Sequence, residues 1–469
     1  MSRSVLFPSC DQRLMWDDHL TTLLAAAHQR VAQGAVTPTL DSDGFTAELA
    51  GFDFAQPVPF ADLLGWTVAQ MEHGLVHMNH PRYLGLFNPA PTFPAQCADR
   101  IAATFNPQLA TATTSPAAVA IEAHVARSLA RRAGLPPGAV GHFTSGGSEA
   151  NETALICALT QGEPGFATTG SRAFSGQPVF YISQDSHLAW IKIAHATGIG
   201  RSAVRLVATD GTGRMSVEAL SAAIAADRRE GCIPVMVVAT AGTTNAGMID
   251  PLGACGDIAR QAGVWYHVDA AWGGALVASD RLSGLLTGIE TADSITIDAH
   301  KWFATTMGCG MFLTVHPRVL SAAFTVSASF MPSQTPTLDP YITTAQWSRR
   351  FLGLRLFLSL GAGGWAGHGA HVEHAVELGR MLANTARGRG WSVANEPGLA
   401  VVCLEPPAGS ASVRDIVQQV LKSGGAWVSA ARFEGRDIIR ACVTHGETSP
   451  ADIKAVVELL EQARTACLW

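Results

Sequence analysis

The sequence predicts an α/β protein. A mostly parallel central sheet forms a large domain, with a helical arm before it and a small α+β domain after it. Three observations carry this reading. Between residues 177 and 300, apolar runs of strand length alternate with amphipathic helical stretches, as in parallel strands covered on both faces. Polar residues follow those runs, at Ser186 and His187, Thr243 and Thr244, Asp269, and His300 and Lys301, where ligands bind in such sheets. The 469 residues are 48% hydrophobic and only 15% charged. That supports a large core and suggests a surface partly covered by another subunit.

Taken in order, residues 1–75 read as a helical arm. Leu20, Leu23, Leu24 and Val31 share one face, as do Leu63, Leu64, Val68 and Met71, with a Gly- and Pro-punctuated segment between them. So long an arm is poorly suited to a core of its own and is expected to pack on a partner. The large domain is placed at 76–369. It opens with a Pro- and aromatic-rich loop, His80 to Pro94, then helices near Ala95–Thr104 and Pro116–Ala133. Strands follow at Pro178–Ser183, Val204–Ala208, Ile233–Ala241, Val264–Ala270 and Ile295–Ile297, with helices near Ser216–Arg228 and Gly253–Ala262. Pro332 to Pro340 reads as a lid and Trp347–Leu360 as a long helix. The small domain, 370–469, has helices at Ala370–Arg387, Val413–Leu421 and Pro450–Ala463 around strands Leu399–Leu404 and Ile438–Thr444.

Several functions are disfavoured. The net charge is -6 with no basic run, which argues against nucleic acid. No apolar stretch is long enough to span a membrane, and Pro8, Asp11 and Asp17 interrupt any secretory signal. The nine cysteines are scattered without a CxxC. That fits reduced thiols in a cytoplasmic protein rather than disulfides or a zinc site.

Chemistry gathers around SITIDAHKWFATTMGCG, residues 294–310. A strand that delivers a lysine at its end, Lys301, offers an amine that can attack a carbonyl, because burial favours its neutral form. Alone it would read as a surface lysine. Gly146, Gly147 and Ser148 precede the start of a helix, whose free N–H groups suit a phosphate. Asp269 ends its strand in HVDAAWGG, beside small residues that let a flat ring approach. A phosphate cradle, a strand-end carboxylate, a stacking ring and a buried lysine are together what pyridoxal 5'-phosphate requires.

The set TSGGSEAN, DSHLAW, ATAGTTNAGMID, HVDAAWGG and DAHKW resembles the group II pyridoxal-phosphate-dependent amino acid decarboxylases, over residues 75–360. The resemblance implies fold type I and a homodimer with shared active sites and a swapped N-terminal arm. It also implies decarboxylation of an L-amino acid through a Schiff base and a quinonoid. In this sequence Lys301 matches the Schiff-base lysine and Asp269 the partner of the pyridine nitrogen. His187 matches the stacking histidine, Ala271 the small residue on the opposite face, and Thr243 a hydroxyl near the cofactor phenolate. Gly146, Gly147, Ser148 and His300 match the phosphate site. Asp298 falls where several relatives have Asn, and a carboxylate beside a phosphate is unfavourable unless a third group bridges them. Substrate contacts are expected from Phe87 and Asn88 in the first loop and from Leu109, and Arg350 after the lid matches a family arginine that is either structural or near the substrate carboxylate.

Two departures bear on the reaction. Relatives that decarboxylate cleanly carry a lid tyrosine thought to reprotonate the carbanion. Its position here is Phe330, which has no proton to give. In some family members such a replacement accompanies oxygen use, giving aldehyde, ammonia and peroxide. Tyr341 or water could instead supply the proton. Gln108 to Thr114 is small and polar where relatives acting on aromatic substrates are bulky, which suggests another substrate type. β-Elimination on a cysteine-type substrate, an aminotransferase using Arg440 or Arg432, and a non-catalytic dimer are the rival readings.

Overall fold

The computed structural model describes residues 5–326, 339–396 and 398–466. Its centre is a seven-stranded sheet of β1 (Val140–Thr144), β2 (Pro178–Ser183), β3 (Val204–Val207), β4 (Ile233–Thr240), β5 (Trp265–Asp269), β6 (Ser294–Asp298) and β7 (Gly310–Thr314). The order is β1-β7-β6-β5-β4-β2-β3. Only β7 runs against its neighbours. β2, β5, β6 and β7 are buried along their whole length, which is why they read as unbroken apolar runs.

The anticipated strands are all present, within two residues at their ends. β1 and β7 were not anticipated. Their short sequences, VGHFT and GMFLT, are punctuated by glycine, and glycine normally weakens a strand. At Gly141 the reason is contact, because a Cβ there would stand 2.3 Å from the Phe312 carbonyl oxygen.

A second, antiparallel sheet has the order β10-β11-β9-β8, from β8 (Ser392–Val393), β9 (Val401–Glu405), β10 (Ser429–Phe433) and β11 (Arg436–Cys442). Helices Val413–Ser423 and Pro450–Ala466 pack on it. Residues 83–85 are tied to this unit. Leu84 N donates to Trp427 O at 2.9 Å, and Cys442 N donates to Leu84 O at 2.9 Å. The Pro- and aromatic-rich loop is therefore pinned between the two sheets.

The helix expected from Trp347 begins instead at Gly353. It runs to Arg387, broken only at Gly364, whose φ is 61°. Residues 347–352 stay irregular because a buried ion pair holds them. Arg349 Nη2 meets Glu122 Oε2 at 2.6 Å, and Glu122 Oε1 accepts from Gly353 N at 2.9 Å. The expected boundary at 369 lies inside this helical run.

The N-terminal arm comprises helices Cys10–Gln33, Ser42–Ala50 and Phe60–Gly74. In the first helix only Ala27 and Val31 are buried, and in the other two nothing is. No described helix is long and apolar enough to cross a membrane.

Candidate active site

The site forms where β4, β5 and β6 end. β6 stops at Asp298, and Lys301 N donates back to Asp298 O at 3.1 Å. Lys301 Nζ then lies 3.1 Å from Asp298 Oδ2, with its side chain 20% exposed. The turn is held open at Ala304, whose φ of 51° is unusual for a residue with a Cβ. Ala304 N bonds Lys301 O, and Thr92 N bonds Ala304 O at 2.7 Å. Arg355, buried against Asp99 at 2.7 Å, collects the carbonyls of Met307 and Gly308 at 2.9 and 3.0 Å. An arginine far along the chain thus shapes the loop after the lysine, and nothing in the local sequence signalled it.

Asp269 ends β5 and is 5% exposed. Its Oδ1 accepts from Ala271 N at 3.2 Å and its Oδ2 from Asn151 Nδ2 at 2.8 Å. Thr243 is buried in a tight turn after β4, where its Oγ1 accepts from Met248 N at 3.0 Å. His187 follows β2 and is exposed, with Nδ1 accepting from Ala189 N at 3.1 Å.

The loop from β1 to helix Gly147–Gly162 passes over Asp298. A Cβ on Gly147 would stand 2.8 Å from Asp298 Oδ2, and one on Gly310 would stand 2.6 Å from the Gly146 carbonyl carbon. Only glycine lets the backbones at 146 and 310 meet. Glu149 reaches back so that Ser145 N and Oγ donate to its Oε2 at 2.7 and 2.6 Å. Gln346 Nε2 donates to the same carboxylate at 2.9 Å. Ser148 is exposed at the helix start. His300 Nδ1 accepts from Cys309 N at 3.2 Å. Burial lowers the His300 pKa from its ordinary value, and nearby Asp298 opposes this.

An aromatic stack lies beside the lysine. Trp302 and Trp272 are parallel at 4.2 Å, and Phe87 stacks on Trp272 at 4.3 Å. Lys301 Nζ is 5.6 Å from the Phe87 ring centre and the Arg440 guanidinium is 4.7 Å from it. Arg440 is itself held by the carbonyls of Gly85 and Thr244.

Along 351 of the 469 residues, 55–405, the chain matches the family model described as the pyridoxal-dependent decarboxylase conserved domain. This chain belongs to the pyridoxal-dependent decarboxylase family. Among its relatives is L-2,4-diaminobutyrate decarboxylase of Rhizobium meliloti, 31% identical over 84% of this chain and 80% of that one. Aromatic-L-amino-acid decarboxylase of Bacillus atrophaeus is 27% identical over 90% and 89%. The crystal structure of mouse CSAD in apo form superposes with a TM-score of 0.89 and 25% identity, covering 96% of this chain and 99% of that one. The chain has the fold-type-I architecture, and its cofactor is pyridoxal 5'-phosphate.

The residues present fit that cofactor. The amides at a helix start suit its phosphate, the Lys301 amine suits its aldehyde, and the Asp269 carboxylate suits its pyridine nitrogen. Asp298 is less well matched. Its Oδ1 is buried without a hydrogen-bond partner among the described residues, and Lys301 Nζ stands beside Oδ2.

Leu109 has no exposed surface in the single chain and packs with Ala118 and Val119. Arg350 is exposed, and the structural arginine of that pair is the buried Arg349. Phe330 and the lid through residue 338 lie outside the described residues. At the far end of the lid, Asp339 Oδ1 accepts from Ala112 N at 2.7 Å, and Tyr341 is buried against Trp347 at 5.0 Å. Asn88 is half-buried beside Met307.

Proposed function

We propose that the enzyme removes the α-carboxylate of an L-amino acid, releasing carbon dioxide. The observation that supports this most is the convergence of a lysine amine, a strand-end carboxylate and a glycine-floored helix start at neighbouring strand ends. Pyridoxal phosphate, when bound, withdraws the electrons left on the α-carbon after the carboxylate departs. In this reading Lys301 Nζ is the amine that would hold the cofactor's aldehyde. Asp269 keeps a proton on the ring nitrogen. The Gly146–Ser148 amides and His300 would hold the phosphate, and the Thr243 hydroxyl would serve the ring's oxygen. His187, exposed in one chain, would cover the ring and meet the substrate carboxylate. Ala271 is small enough to leave the other face open. Phe87, lodged between Trp272 and Arg440, walls the substrate end.

The site is completed by a second copy of the chain. The helical arm buries little of itself, and Phe93 and Phe105, 74% and 79% exposed, share one helix. An apolar surface of this kind fits a homodimer interface.

A second reading concerns the product. Phe330 has no proton to return to the α-carbon, so oxygen could intervene. The balance is then amino acid plus oxygen plus water, giving aldehyde, carbon dioxide, ammonia and hydrogen peroxide. Feeding a panel of L-amino acids and cysteine S-conjugates in air, and following carbon dioxide, amine, aldehyde and peroxide together, tests both readings. Amine equal to carbon dioxide supports simple decarboxylation. Peroxide and aldehyde equal to carbon dioxide support the oxidative route, and Phe330→Tyr should then shift the ratio toward amine. Elimination products without carbon dioxide would overturn both.

A further inference from the structure

We infer that Asn151 is a positioning residue for Asp269, held in place by a buried donor chain that starts at Trp265. The inference rests on the pairing of Asp269 with the cofactor's ring nitrogen, proposed above. Asp269 Oδ2 can only accept, so the amide nitrogen of Asn151 must be the atom 2.8 Å away. That turns Asn151 Oδ1 toward His267 Nε2 at 3.1 Å, and His267 must then carry its hydrogen on Nε2. Its Nδ1 is left as an acceptor, and Ser294 Oγ lies 2.8 Å from it. Ser294 Oγ in turn accepts from Trp265 Nε1 at 2.8 Å. Thr296 Oγ1, 3.3 Å from Nε2, is a weaker second partner.

The chain is satisfied in one direction only. The indole of Trp265 can only donate and the Asp269 carboxylate accepts at the other end, so the links between them run in one sense. No member is more than 5% exposed, so water cannot substitute for a broken link. His267 stays neutral, because burial lowers its pKa to about 4. Neither donor to Asp269, Asn151 or the Ala271 amide, is a cation, so its charge remains available to a ligand while its orientation is fixed.

Placement adds a further consequence. Asn151 lies one turn beyond Gly147 on the helix whose start forms the phosphate cradle. One helix therefore sets both the phosphate end of the site and, through Asn151, the carboxylate at the opposite end. The sequence shows Asn151 only as a polar residue in a first turn, and its partners are more than a hundred residues away.

The test compares binding of pyridoxal phosphate with binding of 1-deazapyridoxal phosphate, in which carbon replaces the ring nitrogen. Both are titrated into the full chain stripped of cofactor. If Asn151 acts through Asp269, Asn151→Leu lowers the preference for pyridoxal phosphate over the analogue by about tenfold, as expected for one hydrogen bond to a charged group. Its affinity for the analogue should stay near that of the parent. Equal weakening for both ligands, or an unchanged ratio, would overturn the inference alone. A parent chain that binds both ligands equally would overturn the Asp269 pairing, and the inference with it. Should the leucine variant fail to fold, Ser294→Ala removes the link that sets the His267 tautomer. It should lower the same ratio by about threefold, and an unchanged ratio there would equally overturn the inference.

Discussion

Lys301 and Gly147 carry the sharpest expectations at the scale of single residues. Lys301 Nζ lies 3.1 Å from Asp298 and, in the proposed mechanism, holds the cofactor. Lys301→Ala should lower carbon dioxide release by about a thousandfold or more, as loss of a covalent catalyst does, while the chain stays folded. Steady-state rates beside a thermal melt check this. At Gly147, an added methyl would meet the buried Asp298 carboxylate at 2.8 Å. Gly147→Ala should therefore weaken cofactor binding by about tenfold, read by titration of the stripped protein. The chemistry at this scale was legible in the sequence because each group follows a recognisable strand or opens a helix. Asn151, His267, Arg355 and Gln346 were not, because their roles depend on partners distant in sequence.

At the scale of elements, the segment joining the lid to the long helix is held by Arg349 and Glu122, both 4% exposed. Removing one member of a buried pair leaves the other uncompensated. Arg349→Ala should cost about 3–5 kcal/mol of stability, measured by urea denaturation. Exposed Arg350→Ala should change stability by no more than about 0.5 kcal/mol. The reverse order would contradict the assignment of the structural role to Arg349. Two adjacent arginines look alike in a sequence, and only burial separates them. The helix start was misread for the same reason. Residues 347–352 carry helical pattern, but the Glu122 carboxylate claims the Gly353 amide and starts the helix there. Strands β1 and β7 escaped notice because their glycines suit close backbone contact rather than strand propensity.

For the whole molecule, stability should fall on acidification. His80, His142 and His267 are buried, and burial lowers their pKa values to about 4, 3 and 4. Above the unfolded value of about 6.5 they are neutral in both states and cost nothing. As pH falls below it, the unfolded chain takes up protons that the folded chain refuses. Each histidine then removes about 1.4 kcal/mol per pH unit until its folded pKa is reached. Asp250 works in the opposite sense. Burial raises its pKa to about 6, so below that pH the folded state binds a proton more readily than the unfolded one. Three groups outweigh one, and denaturation midpoints measured from pH 7 to pH 4.5 should fall steadily. A flat profile would contradict the neutral, buried state of these histidines. Assembly is testable at the same scale, since Phe105→Asp places a charge on the exposed apolar helix face and should yield monomers in sedimentation. The layered architecture and helical arm were visible in sequence periodicity, whereas the lining of the substrate pocket was not, because loops and the lid build it.

The most direct test of the central claim is carbon dioxide release from a panel of L-amino acids, with Lys301→Ala as control. At least one amino acid should release carbon dioxide without any keto-acid acceptor, and the control should abolish it. Turnover that requires a keto acid and releases no carbon dioxide would contradict the assignment of this site to decarboxylation.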